Sequence, residues 1–402
     1  MTIPRRTQVG IVGAGPSGLL LARLLHRQGI DVVVLERRSR EYVEKRIRAG
    51  VLEQGSAALL ERAGVAEGLH AAGHVHEGVR VAFDERLARV DLKQHAGSAV
   101  IVYGQTEITR ELYRRNLADG IDIRFEVEAT AVRDLDRGAA RIDYRGAHGA
   151  GSVLCDYVAG CDGFHGASRR SAPEGAFRTW ERAWPFGWLG VLSNTRPAAP
   201  ELIYSSHARG FALCSQRSTS VSRHYVQVPS GENAESWSDA AFWDELRRRL
   251  PAAVAESLET GPSLEKSIAP LRSVICEPLR CGRLFLVGDA GHIVPPTGAK
   301  GLNLAIADAA MLASALQAFY AEGEEVGLER YSETALARVW NAERFSWWFT
   351  SATHNLSDDA FDRRMQVADL EYFTGTDAGR RVFAENYVGM PVVDPVSGER
   401  LA

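Results

Sequence analysis

A chain of 402 residues and 43.9 kDa is long enough for two or three hydrophobic cores, at about 100 to 200 residues per domain. Its 47 Lys and Arg against 51 Asp and Glu leave a net charge of -4, with 45% hydrophobic and 24% charged residues. This is an ordinary globular balance that gives no electrostatic case for a nucleic-acid or membrane partner. No uncharged apolar run approaches the roughly 18 residues of a membrane span. Residues 1–8 lack a signal peptide's apolar stretch and cleavage site, and the five cysteines form no metal-like CxxC pattern, so reduced thiols and a cytoplasmic location are expected.

In chain order, the apolar strand Gln8-Val9-Gly10-Ile11-Val12 leads into Gly13-Ala14-Gly15-Pro16-Ser17-Gly18, and then into a helical pattern through Gln28 that Gly29 ends. A second strand, Asp31-Val32-Val33-Val34-Leu35-Glu36, completes a βαβ unit. In such a unit the glycines permit a tight turn, close approach to a pyrophosphate and close helix-to-strand packing, and the phosphates sit at the helix N-terminus. Gly13, Gly15, Ser17 and Gly18 are therefore expected cofactor contacts, with Glu36 accepting from the adenosine ribose. The segment after it, Arg37-Arg38-Ser39-Arg40-Glu41-Tyr42-Val43-Glu44-Lys45-Arg46-Ile47-Arg48, reads as a charged helix that gains an anion-binding role beside a nucleotide site.

Residues 50–54 and 59–64 read as helix, residues 78–92 as strands, and residues 109–117 as helix again. The strand Cys155-Asp156-Tyr157-Val158-Ala159-Gly160 runs into Cys161-Asp162-Gly163, a second strand-end turn. From about Trp180 to Ile268 the texture changes to strands rich in aromatic and β-branched residues, which predicts an antiparallel sheet forming a substrate domain, followed by a helix at 242–250. A third strand-end turn, Gly288-Asp289, follows Leu284-Phe285-Leu286-Val287 and leads through Pro295-Pro296-Thr297-Gly298-Ala299-Lys300-Gly301-Leu302-Asn303 into a helix. Asp289 can accept from ribityl or ribose hydroxyls, and the helix amides can face a polar ring edge. Three such turns suit one extended dinucleotide, and FAD is longer than NAD. The aromatic residues at Trp340 and 345–349 read as core or subunit interface.

The expected fold is α/β. A discontinuous Rossmann-like FAD-binding domain (1–74, 98–180, 272–303) is interleaved with an antiparallel-sheet substrate domain (75–97, 181–271), and a helical C-terminal region (304–402) provides an interface.

On the motifs above, together with Arg48-Ala49-Gly50-Val51-Leu52-Glu53-Gln54, Tyr103-Gly104-Gln105, Phe211-Ala212-Leu213-Cys214-Ser215-Gln216-Arg217 and Asn386-Tyr387, the chain resembles the single-component FAD-dependent aromatic hydroxylases nearly end to end, and within them the branch that acts on 4-hydroxybenzoate. The resemblance implies conversion of 4-hydroxybenzoate, O2 and NADPH to 3,4-dihydroxybenzoate through a flavin C4a-hydroperoxide, by a cytoplasmic homodimer needing no metal, nucleic acid or membrane.

It implies that Tyr204, Tyr387 and His76 carry the phenol proton toward solvent, and histidine suits the outer position because its charge changes near neutrality. It places Arg217 on the substrate carboxylate with Ser215 and Tyr225, Arg223 beside flavin and substrate, and Pro296 and Thr297 along the attacked ring position. Arg46, Arg48, Gln54, Gln105, Asp289, Gly298, Leu302 and Asn303 would hold the flavin nucleotide. With no second dinucleotide fingerprint, NADPH is expected on the surface at Arg37, Arg38, Tyr42, Arg46, His165 and Arg272. Arg38, Arg40 and Lys45 depart from the usual charge pattern there, so NADH use is also expected to be possible.

Competing expectations are a hydroxylase of a substituted 4-hydroxybenzoate and a non-hydroxylating flavin redox sensor or oxidase, which would need no carboxylate clamp. A flavin halogenase is disfavoured, because Trp184-Pro185-Phe186-Gly187-Trp188 lacks the Trp-x-Trp-x-Ile-Pro arrangement and no catalytic lysine fits.

Overall fold

Strand Arg5–Val12 is the axis of the first sheet in the computed structural model, which describes residues 5–45 and 50–402. It pairs in parallel with Gly149–Gly160 on one side and Val32–Glu36 on the other. Leu284–Leu286 and Asp122–Phe125 extend the sheet outward, also in parallel. Val32–Glu36 and Leu284–Leu286 are buried along their whole length, with Val, Leu and Phe in unbroken runs rather than alternation. The register sets Val12 beside Gly160 and Leu35, and Gly160 beside Leu286. Four strand ends therefore stand in one row, and the turns at Gly13, Glu36, Cys161 and Gly288 leave from the same edge of the sheet, where open α/β sheets bind ligands.

The second sheet runs in the order His292–Ile293, Ser263–Glu277, Arg178–Ser193, Ser222–Pro229, Ala212–Gln216, Ile203–Ser206, Gly78–Phe83, Arg86–Asp91. Strands Arg178–Ser193 and Ser263–Glu277 are 16 and 15 residues long, so the expected boundaries at 180/181 and 271/272 fall within continuous strands. A small third sheet joins Val51–Leu52, Val100–Val102 and His74–His76. Val51–Leu52 is thus a strand, not the helix expected over residues 50–54. Antiparallel pairing with Ile101 and Val102 overrides the local pattern, and the helix begins only at Gln54.

Helix Gly301–Glu322 is, among the described residues, the one long and apolar enough to cross a membrane, and most of it is buried against the first sheet and its helices. The long helix Val326–Thr353 spans both sheets. Its Phe345 and Phe349 join Tyr204, Phe211, Phe383 and Tyr387 in an aromatic core beneath the second sheet, while Trp340 and Trp347 remain about two-fifths exposed at 38% each.

Candidate active site

A single cavity of about 1040 Å3 runs from the strand-end turns of the first sheet to the face of the second. At the first turn, Gly13 holds φ +100, and a Cβ there would lie 2.4 Å from the Cys161 carbonyl oxygen. A Cβ on Gly18 would lie 2.1 Å from the Gly13 oxygen. Both glycines are required by packing, although only Gly13 lines the cavity. Gly15 is different: nothing stands within 4 Å of its missing side chain, and it immediately precedes helix Pro16–His26. That leaves bare backbone at a helix N-terminus, which fits a pyrophosphate. Glu36 accepts from Ala14 N and Arg38 N, each at 2.8 Å, which fixes the carboxylate at the cavity wall with lone pairs left for ribose hydroxyls. Ser17, Gln105, Asp289 and Leu302 also line the space. At the far end, helix Gly301–Glu322 points its N-terminus inward, again with nothing near the Gly301 Cβ position. A phosphate-bearing cofactor with a polar planar head fits two such ends.

Other expected cofactor residues act at one remove. Asn303 spends its amide on the protein: Oδ1 accepts from Glu53 N at 2.9 Å, and Nδ2 donates to Val51 O at 2.8 Å and Ala299 O at 3.0 Å. It pins the third sheet to the turn, and its neighbour Leu302 lines the cavity. Gln54 is exposed and donates to Ala99 O. Gly298 is buried, where a Cβ would lie 2.5 Å from Ser346 Oγ, and Thr297 bonds Thr350 Oγ1 at 2.8 Å. None of these four lines the cavity. Arg46 and Arg48 lie outside the described residues. Asp162 caps the short helix after its turn, accepting from Ser168 N and Oγ at 2.9 and 3.0 Å, and burial raises its pKa.

The expected nicotinamide residues form two groups. Arg38 lies over the Tyr42 ring at 5.0 Å, and with Arg37 they border the nucleotide end of the cavity. Phe164 sits between the guanidiniums of Arg272 and Arg169, at 4.0 and 4.4 Å, and its ring meets that of His165 edge-on at 5.0 Å. His165 and Arg272 are therefore brought together through Phe164, a residue to which the sequence assigns no role.

At the other end, Tyr204, Ser215, Arg217, Arg223, Tyr225 and Pro296 line one chamber, with Trp188, Leu202 and Leu213 as its apolar wall. Arg217 Nη1 donates to Ser215 Oγ at 3.2 Å and Gln216 O at 2.9 Å. Its Nε and Nη2 are buried with no hydrogen-bond partner among the described residues. Burial lowers the Arg217 pKa, yet a guanidinium stays charged at any ordinary pH. Two buried donors in a planar fork call for a carboxylate, since leaving them unpaired costs about 1 to 3 kcal/mol each or more.

Tyr204 and Tyr387 exchange a hydrogen bond of 2.9 Å between their hydroxyls. Burial pushes Tyr204 up to about 12 and Tyr387 well above its ordinary value. His76 is buried, and neither ring nitrogen has a partner among the described residues. The expected third link of the proton path is therefore not a direct hydrogen bond to Tyr387. Burial lowers the imidazole to about 4, which keeps it neutral at physiological pH.

Sequence reasoning missed a buried ionic triad beneath this chamber. Lys300, which lines the cavity, donates to Glu53 Oε1 at 2.8 Å and Tyr387 O at 2.7 Å, and Arg338 donates to Glu53 Oε2. Burial pulls the lysine pKa down while Glu53 opposes the shift. Lys300 was visible only as a lysine inside a Pro/Gly-rich turn.

Comparisons with known proteins point the same way. Residues 6–346 match the FAD binding domain family. The chain is 49% identical over 388 residues to p-hydroxybenzoate hydroxylase of Acinetobacter baylyi, covering 96% of both chains. It is 27% identical to para-nitrophenol 4-monooxygenase of a Pseudomonas species, over 91% of this chain and 96% of that one. In fold it is similar to the crystal structure of p-nitrophenol 4-monooxygenase from Pseudomonas putida, with a TM-score of 0.80, 21% identity, and 97% and 100% of the two chains covered.

Proposed function

The chain belongs to the FAD-dependent aromatic monooxygenases, the family of p-hydroxybenzoate hydroxylase, and from that premise we propose that it converts 4-hydroxybenzoate, O2, NADPH and a proton to 3,4-dihydroxybenzoate, NADP+ and water. The observation that carries the substrate is the chamber's polarity. Arg217 offers a buried, unpartnered fork at one end, and Tyr204, bonded to Tyr387 behind it, stands elsewhere on the same chamber. A para-hydroxy acid has its carboxylate and phenol at opposite ends of a rigid ring, so one molecule can meet both.

Bound FAD supplies the chemistry of accepting reducing equivalents and activating O2. The chain's own residues do the rest. Arg217, with Ser215 and Tyr225, binds and orients the carboxylate. Tyr204 takes the hydrogen bond of the substrate hydroxyl and passes the proton to Tyr387, with His76 as the outward relay. A free phenol has a pKa near that of Tyr, about 10, so such a path is needed to make the ring nucleophilic near neutrality. Arg223 adds positive charge that favours the ionised ring, and Pro296 stands at the reacting edge, with Leu302 on the flavin side.

NADPH is the reading favoured by Arg37 and Arg38, whose charge suits a 2'-phosphate, with His165 and Arg272 as a second group around Phe164. NADH use is compatible with the same surface. The exposed Leu356, Phe361, Met365 and Tyr372, at 43% to 70% exposure, support a homodimer contact along the C-terminal helices.

Oxidation of NADPH and NADH by the flavin-loaded protein, with and without 4-hydroxybenzoate and with product identified by chromatography, tests the proposal. Strong stimulation with 3,4-dihydroxybenzoate formed is expected. Stimulation that yields only hydrogen peroxide would point to a substituted 4-hydroxybenzoate, and no stimulation would favour a flavin sensor.

A further inference from the structure

Arg223 reaches its partners across a neighbouring strand. It lies on Ser222–Pro229, and its Nη2 donates at 3.1 Å to both Glu265 Oε1 and Ser267 Oγ on strand Ser263–Glu277, with Arg178–Ser193 running between the two strands. The guanidinium passes Gly190, where a Cβ would stand at ordinary contact distance, 3.4 Å, from Arg223 Nη2 but only 2.7 Å from the Tyr225 ring, so the bare backbone there makes room for Tyr225 beside Arg223. Arg223 is 5% exposed, and its Nε and Nη1 are buried with no partner among the described residues. Glu265 and Ser267 line the same chamber as Arg217 and Arg223.

We propose that Glu265 is a positioning and charge-balancing residue: it anchors Arg223 through Ser267 and itself, and it limits how far the chamber favours the substrate's phenolate over its phenol. This rests on the reading of the chamber as a 4-hydroxybenzoate site. Two guanidiniums, Arg217 and Arg223, face one carboxylate, Glu265, and the buried Lys300–Glu53–Arg338 triad, with Lys300 on the cavity wall, adds one further positive charge. Glu265 offsets part of that positive field. The benzoate carboxylate meets Arg217, and ionising the phenol adds a second negative charge that Glu265 opposes. Glu265 thereby disfavours holding the phenolate before the proton path through Tyr204 and Tyr387 has removed the proton. Tyr204, also on this chamber, keeps a neutral hydroxyl because burial raises it to about 12.

Glu265→Gln keeps an acceptor for Arg223 and deletes only the charge. At a separation of about 8 Å and an effective dielectric constant near 20, one charge is worth roughly 1.5 pKa units. The experiment is a pH titration of 4-hydroxybenzoate bound to the oxidised holoenzyme, read from phenolate absorbance, in the wild type, E265Q and E265D. The bound phenol is expected to titrate roughly 1.5 units lower in E265Q, with several-fold tighter binding, while E265D stays near the wild type. A merely structural role for Glu265 would not move this spectroscopic pKa, so E265Q titrating with the wild type overturns the proposal. Should E265Q lose its flavin, Ser267→Ala carries the test. It keeps the charge but withdraws one anchor, freeing Arg223 toward the chamber, so the bound pKa falls by a smaller amount, and an unmoved value there overturns the proposal equally. Wild-type holoenzyme that fails to bind 4-hydroxybenzoate would refute the substrate reading itself, and this proposal with it, a result distinct from normal binding with an unresponsive variant.

Discussion

Tyr204 and Tyr387 face each other at 2.9 Å with both hydroxyls buried among aromatic rings. Burial raises the pKa of each, Tyr204 to about 12, so neither holds a negative charge near neutrality. A pair of this kind passes a proton by reorienting neutral hydroxyls, each accepting from one side and donating to the other. Tyr204→Phe removes the member on the chamber wall while keeping the ring that packs on Phe211 and Phe349. The variant is expected to retain flavin and fold, and to bind the substrate carboxylate at Arg217. Product formation should fall by about 10²-fold or more, the scale of positioned proton transfer. Stopped-flow absorbance with product analysis checks this, and wild-type product yield in the variant would remove Tyr204 from the proton path. Arg217 differs in kind, because its fork must remain charged and unpartnered until a ligand arrives, so its cost falls on the ligand-free protein.

The element that organises the cofactor end is the turn from Gly288 to Gly291, and its support lies one layer down. Asp308, on helix Gly301–Glu322, accepts from Gly288 N at 2.9 Å and pairs with His292 Nε2 at 2.6 Å, with both side chains buried. Burial alone would lower the His292 pKa, but Asp308 outweighs it and the net shift is upward. A raised histidine stabilises the fold fully below its unfolded pKa and loses that contribution as pH rises through the folded value. Asp308→Asn leaves burial to lower the His292 pKa, so the imidazole turns neutral and the paired charge is lost, which should cost up to about 3 to 5 kcal/mol, more at low pH than high, with loosened FAD because Asp289 rides on the same turn. Denaturant unfolding followed by flavin fluorescence measures both, and unchanged midpoints across pH would deny the pair its role. Much of this end was legible in the sequence, since a strand, a glycine turn, a helix and a terminal acid are local signals with separate physical causes. The third sheet was not, because strands of two and three residues carry no periodicity and exist only through pairing with one another. The Glu53 triad was equally hidden, its partners lying 247 and 285 residues away. Tyr204, Tyr387 and Arg217 became visible through family resemblance, for nothing beside them in the chain distinguishes them from core residues. Glu265 was not visible at all, because it lies two strands from Arg223 and meets it only in the folded sheet.

At the scale of the whole molecule, helix Val326–Thr353 ties the parts together. Thr350 reaches the Thr297 turn, His354 just beyond the helix accepts from Trp188 Nε1 at 2.7 Å, and Glu343 accepts from Ser273 Oγ at 2.5 Å on the second sheet. The last two of these junctions are buried and titratable, so stability should depend on pH in two opposing ways. Burial lowers His76 to about 4 and His224 and His354 to about 3. The unfolded chain therefore binds protons that the folded one refuses, and each histidine withdraws stability as pH falls below about 6.5. Glu343 runs the other way. Burial raises it to about 7, against a partial lowering by Ser273, so the folded state holds a proton that the unfolded state has released. Its contribution is complete below the unfolded value, near 4.5, and is lost as pH rises through about 7. Glu343→Gln cannot ionise, so it should match the wild type near pH 5 and gain on it up to pH 8, by at most about 3 kcal/mol from a shift of roughly 2.5 units. Thermal midpoints of the two proteins across that range give the answer. A difference that stays constant with pH would mean that Glu343 is ionised in the fold and that the helix is joined to the second sheet by a charged contact instead of a neutral one.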